Sequence, residues 1–110
     1  MTDPRPLMQT EGMAGRVSVR LSGEIDLSNA DDLQARIERL VDNCPHVVVD
    51  LTGIRYIDSQ GLRLLNRLAI GLAANGAAFE LVAPPESVAR DVLDLTRMSA
   101  DIPVLDALPA

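Results

Sequence analysis

The sequence predicts an α/β fold, a mixed sheet of four to five strands in a single domain spanning residues 1–110. Three observations carry this reading. Apolar runs of strand length, such as Val47-Val48-Val49, alternate with segments whose apolar residues recur at helical spacing, such as Leu62, Leu65, Ala69 and Leu72. Val17, Val19 and Leu21 alternate with Ser18 and Arg20, the period-two pattern of a strand with one buried face. Phe79 and Tyr56 are the only aromatic residues, so the core must be built from Leu, Val, Ile and Ala, which suits helices packed on a sheet. A chain of 110 residues is large enough for one core and too small for two.

Residues 1–6 hold Pro4 and Pro6 and read as a loose lead-in. Residues 7–11 are expected as a short edge strand, joined through Gly12 and Gly15 to a strand over 17–21, so that the two form a hairpin. The free edge of that first strand leaves a monomer or a weak dimer as the expected state. Gly23-Glu24-Ile25-Asp26-Leu27 then reads as a polar, flexible exit, and Ser28 as the cap of a first helix over about 29–42, with Asp31 at its positive end. Leu33, Ile37, Leu40 and Val41 form the apolar face of that helix, and Cys44-Pro45 ends it.

The strand over 46–51 shows no polar alternation until Asp50, which gives it a central place or cover on both sides. Residues 52–58 read as the connecting loop, and a second helix runs on to about Ala74, where Asn75-Gly76 supplies a left-handed stop. A strand over 79–83 follows. Pro84-Pro85 opens a third helix with Val88, Val92 and Leu95 on one face, and residues 102–105 form a short last strand. Strands alternating with helices imply parallel pairing with right-handed crossovers.

Composition narrows the function. A formal charge of −6, with no basic run and no aromatic stacking set, argues against a nucleic acid or an anionic membrane as partner. Cys44 is the only cysteine, so neither an internal disulfide nor a four-cysteine metal site can form. No apolar segment approaches the roughly 20 residues that span a bilayer, and the chain does not open like a signal peptide. A cytoplasmic protein is the expectation.

The residues Ile57-Asp58-Ser59-Gln60-Gly61-Leu62 carry the chemistry. Asp58 and Ser59 fall where a loop turns into a helix, a boundary that favours side-chain oxygens able to accept from the free N–H groups of the first turn. Gly61 leaves that turn open to close approach by another molecule. As a nucleophile Ser59 lacks an activating base, because the one histidine, His46, falls a strand's length away and no Gly-x-Ser-x-Gly elbow is present. Asp26, Asp50 and Asp58 lie near strand ends, where a receiver-type magnesium site is conceivable. Yet the chain has no lysine to complement a phosphoaspartate, and solvated loop carboxylates and helix caps are the simpler account. No glycine-rich phosphate cradle exists. No catalytic residue, metal or cofactor is therefore expected. What remains is Ser59 either as a plain N-cap, the simpler account on the residues alone, or as a hydroxyl that a kinase modifies on a docking surface, with phosphate adding about −1.5 to −2 charges.

Together, Leu21-Ser22-Gly23-Glu24-Ile25-Asp26, Val47-Val48-Val49-Asp50-Leu51-Thr52-Gly53 and Ile57-Asp58-Ser59-Gln60-Gly61-Leu62 resemble, in order and spacing over about residues 16–95, the STAS domains of bacterial anti-sigma factor antagonists. The resemblance implies a STAS-type sandwich with helices packed mainly on one face, and a non-enzymatic partner-switching role. Such an antagonist, unphosphorylated, binds an anti-sigma factor that is also a serine kinase and so frees a sigma factor; phosphorylation by the same kinase breaks the complex. Carried onto this chain, Ser59 is the phosphoacceptor after the motif aspartate Asp58. Gly23, Glu24 and Asp26 form the docking loop beside it, and Gln60, Gly61 and Arg63 complete the partner surface at the helix start. Two departures stand out: Gln60 occupies a place where the family commonly has Ser or Thr, and Thr96-Arg97-Met98 lacks the glycine usual after the third helix. The same domain also suits an accessory subunit of a transport or lipid-trafficking complex, or a sensor of a small ligand or nucleotide.

Overall fold

Val47, Val48 and Val49 sit in the middle strand of a five-stranded sheet ordered β1-β2-β3-β4-β5. The computed structural model describes residues 7–13 and 15–109, with the side chains of residues 7 and 13 left aside, so the expected lead-in lies outside the described residues. The elements are β1 (Leu7–Met13), β2 (Arg16–Ile25), α1 (Ala30–Leu40), β3 (His46–Ile57), α2 (Ser59–Ala74), β4 (Ala78–Val82), α3 (Val88–Leu95), a short 3-10 turn (Met98–Ala100) and β5 (Val104–Leu105). β1 and β2 form the expected antiparallel hairpin, with Leu7 opposite Ser22 and Met13 opposite Arg16. The other three pairings are parallel.

The order of the strands places the helices. Each parallel crossover steps to the next strand in the same direction, and a right-handed connection that always steps the same way puts every helix on the same face. The buried side chains agree. Val19, Leu21, Val47, Val49, Phe79 and Leu81 form one apolar cluster with Leu33 and Ile37 of α1, Leu64, Leu65 and Leu68 of α2, and Ala89 and Leu93 of α3. The register puts Ser18, Val48 and Glu80 on the opposite face, where His46 is hydrogen-bonded to Glu80. No helix among the described residues is long and apolar enough to cross a membrane.

Several expectations are corrected. Residues 52–58 are not a loop up to Asp58: β3 continues to Ile57, and β2 continues through the supposed flexible exit to Ile25. The pairing survives because two irregularities, between Arg20 and Ser22 and between Gly23 and Glu24, reset the register so that Ile25 meets Ile57. Gly23 takes φ +99°, which a side chain would resist.

The first helix is preceded by Asn29, not Ser28, and ends at Leu40, which is exposed and not on the buried face. The third helix starts at Val88, where the Ser87 hydroxyl accepts from the Arg90 N–H, so the prolines precede it and do not open it. Of its expected apolar face only Val92 packs against the core. Val88 and Leu95 are 45% and 84% exposed, while Ala89 and Leu93 are buried. Arg90 sets the roll of the helix by donating to the Ala83 carbonyl at 2.7 Å and to Asp106 at 3.0 Å.

Where the family's glycine is missing, Arg97 itself adopts the left-handed conformation, φ +60° and ψ +21°. A side chain there carries strain that glycine does not, typically about 1–2 kcal/mol, part of which is offset by glycine's greater freedom in the unfolded chain. Arg97→Gly is accordingly expected to raise stability by about 0.5–1 kcal/mol in urea unfolding, with no change in cooperativity.

Candidate functional site

The parallel ends of β2 and β3 deliver two chain segments to one corner of the sheet. Glu24 pairs with Tyr56 and Ile25 with Ile57, and the Asp58 N–H then donates to the Ile25 carbonyl at 3.2 Å. Asp58 therefore stands at a position fixed by the sheet, directly before α2. Its Oδ1 accepts from the N–H groups of Gln60 at 2.9 Å and Gly61 at 3.1 Å, making Asp58 and not Ser59 the N-cap. Its Oδ2 accepts from the N–H of Leu27 at 3.3 Å, tying the helix start to the β2–α1 loop.

That loop is held as firmly at its own ends. Asp26 Oδ1 accepts from both the N–H and the hydroxyl of Ser28, at 2.9 and 2.5 Å. Asn29, only 3% exposed, accepts from the Asp26 N–H at 3.0 Å and donates its amide to the Glu24 carbonyl at 2.8 Å. A buried amide satisfied at both ends fixes the backbone that presents Glu24 and Asp26. The flexible exit expected from the sequence is thus a tight turn.

Ser59 is the first residue of α2 and is exposed. Among the described residues its hydroxyl has no hydrogen-bond partner, because Asp58 has taken the capping role. Gln60 is half-buried beside it, and Arg63 is exposed one helical turn further along the same face. Glu24, Asp26, Asp58, Ser59, Gln60 and Arg63 are therefore brought to one corner. Gly61 is not available there. It is buried, and a Cβ at this position would come within 2.5 Å of Ile57 Cγ1 and 3.0 Å of Ile25 Cγ2. The close approach it permits is that of the chain's own isoleucines, which corrects the expectation of an outside partner.

The three aspartates do not converge. Asp50 is buried within β3, where Oδ1 accepts from the N–H and hydroxyl of Thr52, so it is not a solvated loop carboxylate. No group of three or more His, Cys, Asp or Glu residues able to hold a metal occurs among the described residues. His46 lies the full length of β3 from Asp58. A cleft of about 550 Å³, lined among others by Glu38, Cys44, Arg67 and Gly71, opens at the far ends of α1 and α2, remote from Ser59. Two residues of the corner escaped the sequence reading. Asn29 was discoverable as a capping-type residue one place after Ser28; Leu27 carried no periodic signal because it belongs to neither flanking element.

A model of the STAS domain matches residues 7–108. The chain belongs to the STAS domain family. Among solved structures, this STAS domain is similar to an anti-sigma factor antagonist from Mycobacterium paratuberculosis, at 28% identity and a TM-score of 0.85, over 97% of this chain and 91% of that one. It shares its fold with SpoIIAA, described as an anti-sigma factor antagonist in its unphosphorylated form, at 21% identity and a TM-score of 0.72 over 89% and 87% of the two chains. The phosphorylated form of SpoIIAA, a Bacillus cell fate determinant, aligns at 20% identity and a TM-score of 0.67 over 89% and 90%. The five-stranded sheet with three helices on one face is the STAS fold.

Loss of the Asp58 carboxylate in Asp58→Ala should cost about 1–2 kcal/mol, the usual range for an N-cap, and should speed hydrogen exchange at the Leu27 amide. Gly61→Ala gains helix propensity of about 1 kcal/mol but crowds two buried isoleucines, an overpacking cost of about 1–3 kcal/mol. Urea unfolding is expected to show a net loss.

Proposed function

We propose that this STAS domain is an anti-sigma factor antagonist whose binding to a kinase-type anti-sigma factor is ended by phosphorylation of Ser59. The observation that carries the reading is the free, exposed hydroxyl of Ser59 at a helix start that Asp58 has already capped. A serine that served as N-cap would have to surrender a hydrogen bond before it could react. This one does not. In the reaction the Ser59 oxygen attacks the γ-phosphorus of ATP on the kinase, the bond to the departing diphosphate breaks, and the hydroxyl proton passes to a base supplied by the kinase. The domain contributes a positioned acceptor and no catalytic group.

The same geometry accounts for release. Phosphate at the first position of α2 meets the positive end of the helix, so the fold tolerates it. Its charge of about −1.5 to −2 stands next to Asp58 and, in the complex, faces the nucleotide diphosphate it has just left, so like charges separate the partners. Glu24, Asp26, Gln60 and Arg63 form the rest of the docking surface, with Gly23 shaping the strand end that carries the acids. Similarity to an anti-sigma factor antagonist and to a fold solved in unphosphorylated and phosphorylated forms supports this assignment.

The test is intact mass and peptide mapping after incubation with ATP and each anti-sigma factor of kinase type encoded in the same genome. One phosphate, on Ser59, is expected. In calorimetric titration of that factor, Ser59→Ala should bind about as tightly as the unmodified chain, and Ser59→Asp at least about ten-fold more weakly. Equal affinity of the two variants, or phosphate on another residue, would refute the assignment.

A further inference from the structure

Leu27 stands at the tip of the β2–α1 loop with 76% of its surface open to solvent. A single exposed leucine ordinarily means nothing. This one is set on a backbone held from several sides: its own N–H is bound by Asp58, the preceding residue is locked onto Ser28, and buried Asn29 clamps the loop to β2. An apolar side chain on a rigid loop loses little freedom when it is covered, so most of the area it buries counts toward affinity. Its flanks also carry a sign. Glu24 and Asp26 border it, and neither is ion-paired among the described residues.

We propose that Leu27 is the anchor by which this domain selects its anti-sigma factor, inserting into an apolar pocket of that factor whose rim carries arginine or lysine side chains opposite Glu24 and Asp26. The proposal rests on the reading of Ser59 given above and adds to it the contact that sets the identity of the partner. Both groups hang from Asp58: the carboxylate holds the Leu27 amide, and the next residue in the chain is the acceptor. A factor that seats Leu27 correctly therefore brings its nucleotide to Ser59. Leu27 acts on recognition, and Ser59 on the chemistry. The two contributions separate in kinetics, because an anchor outside the reacting atoms changes how much complex forms and leaves the transfer step alone.

The experiment uses the full chain and, as probe, the anti-sigma factor that binds the unmodified protein most tightly among those of kinase type in the same genome. Titration calorimetry and steady-state phosphorylation are run on wild type, Leu27→Ala, Leu27→Met and Glu24→Gln. Leu27→Ala is expected to weaken binding about ten-fold or more and to raise the KM for phosphorylation by a similar factor with kcat unchanged. Leu27→Met should restore most of the affinity. Glu24→Gln should weaken binding less and flatten its salt dependence. Urea unfolding of Leu27→Ala should match wild type, since the side chain is exposed. Affinity of Leu27→Ala within about two-fold of wild type overturns the anchor and leaves the Ser59 assignment standing. A fall in kcat without a change in KM overturns it equally. A wild-type chain that binds none of these factors overturns both readings.

Discussion

The carboxylate of Asp58 joins two parts of the chain that lie 31 residues apart, and the geometry of the corner depends on it. One oxygen closes the first turn of α2 by accepting from two backbone N–H groups that the helix cannot satisfy itself. The other reaches Leu27 across the gap between the β2–α1 loop and the helix. A serine or asparagine could cap a helix comparably well, but neither offers two equivalent acceptor oxygens with a full negative charge to share between neighbours. The cap thus also fixes the loop. Because the Asp58 N–H is itself bonded to Ile25, the carboxylate inherits its position from the sheet and passes it on to both elements.

The sheet can do this only because β2 and β3 run on past the point where regular pairing fails. The two register irregularities take up two extra residues in β3, and with the positive φ of Gly23 in β2 they bring Ile57 opposite Ile25. Those two isoleucines then lie against Gly61, whose missing side chain lets α2 settle on the sheet end. Rigid strands, a small residue in the helix and a capped first turn hold Ser59, and a hydroxyl so held needs no induced ordering before it meets a partner.

Much of this was legible in the sequence. The apolar runs and helical spacings placed β3, α2 and β4 within a residue or two, except at the end of β3, and the hairpin and parallel crossovers followed from alternation alone. The misreadings share a cause. Residues 22–27 and 52–57 mix Gly, Thr, Arg, Glu and Asp with isolated Ile residues, so the period-two signal breaks where the strands bulge, and a bulged strand reads as a loop. On α3 the stripe of Val88, Val92 and Leu95 reaches the core only at Val92, while Val88 and Leu95 face solvent. Periodicity reports that a stripe exists and is silent about which stripe the core receives; Ala89, with its small side chain, and the hydrogen bonds of Arg90 decided that. At the site, the motif pointed to Ser59 and Asp58. The division of labour between them, one capping and one free, required coordinates.

Charge decides how far a phosphate on this domain can be felt. The chain already carries −6, all of its cationic side chains being arginine, so two further negative charges alter the overall field by about a third. At physiological salt, screening over about 8 Å confines the effect on exposed groups to the immediate corner. There the ledger changes much more steeply: Glu24, Asp26 and Asp58 are the acids that frame the acceptor, and Arg63 is one turn away. A partner that reads this corner meets a small set of charges arranged around one apolar side chain, and a phosphate on Ser59 would add the largest of them without moving the leucine. In the proposed switch, recognition and release would draw on different forces acting over the same few residues. In the proposed complex the apolar contact would set identity and be indifferent to salt, whereas electrostatic release would need the phosphate to lie close to the partner's own nucleotide. For that reason the proposed switch would work by contact and require no change of fold.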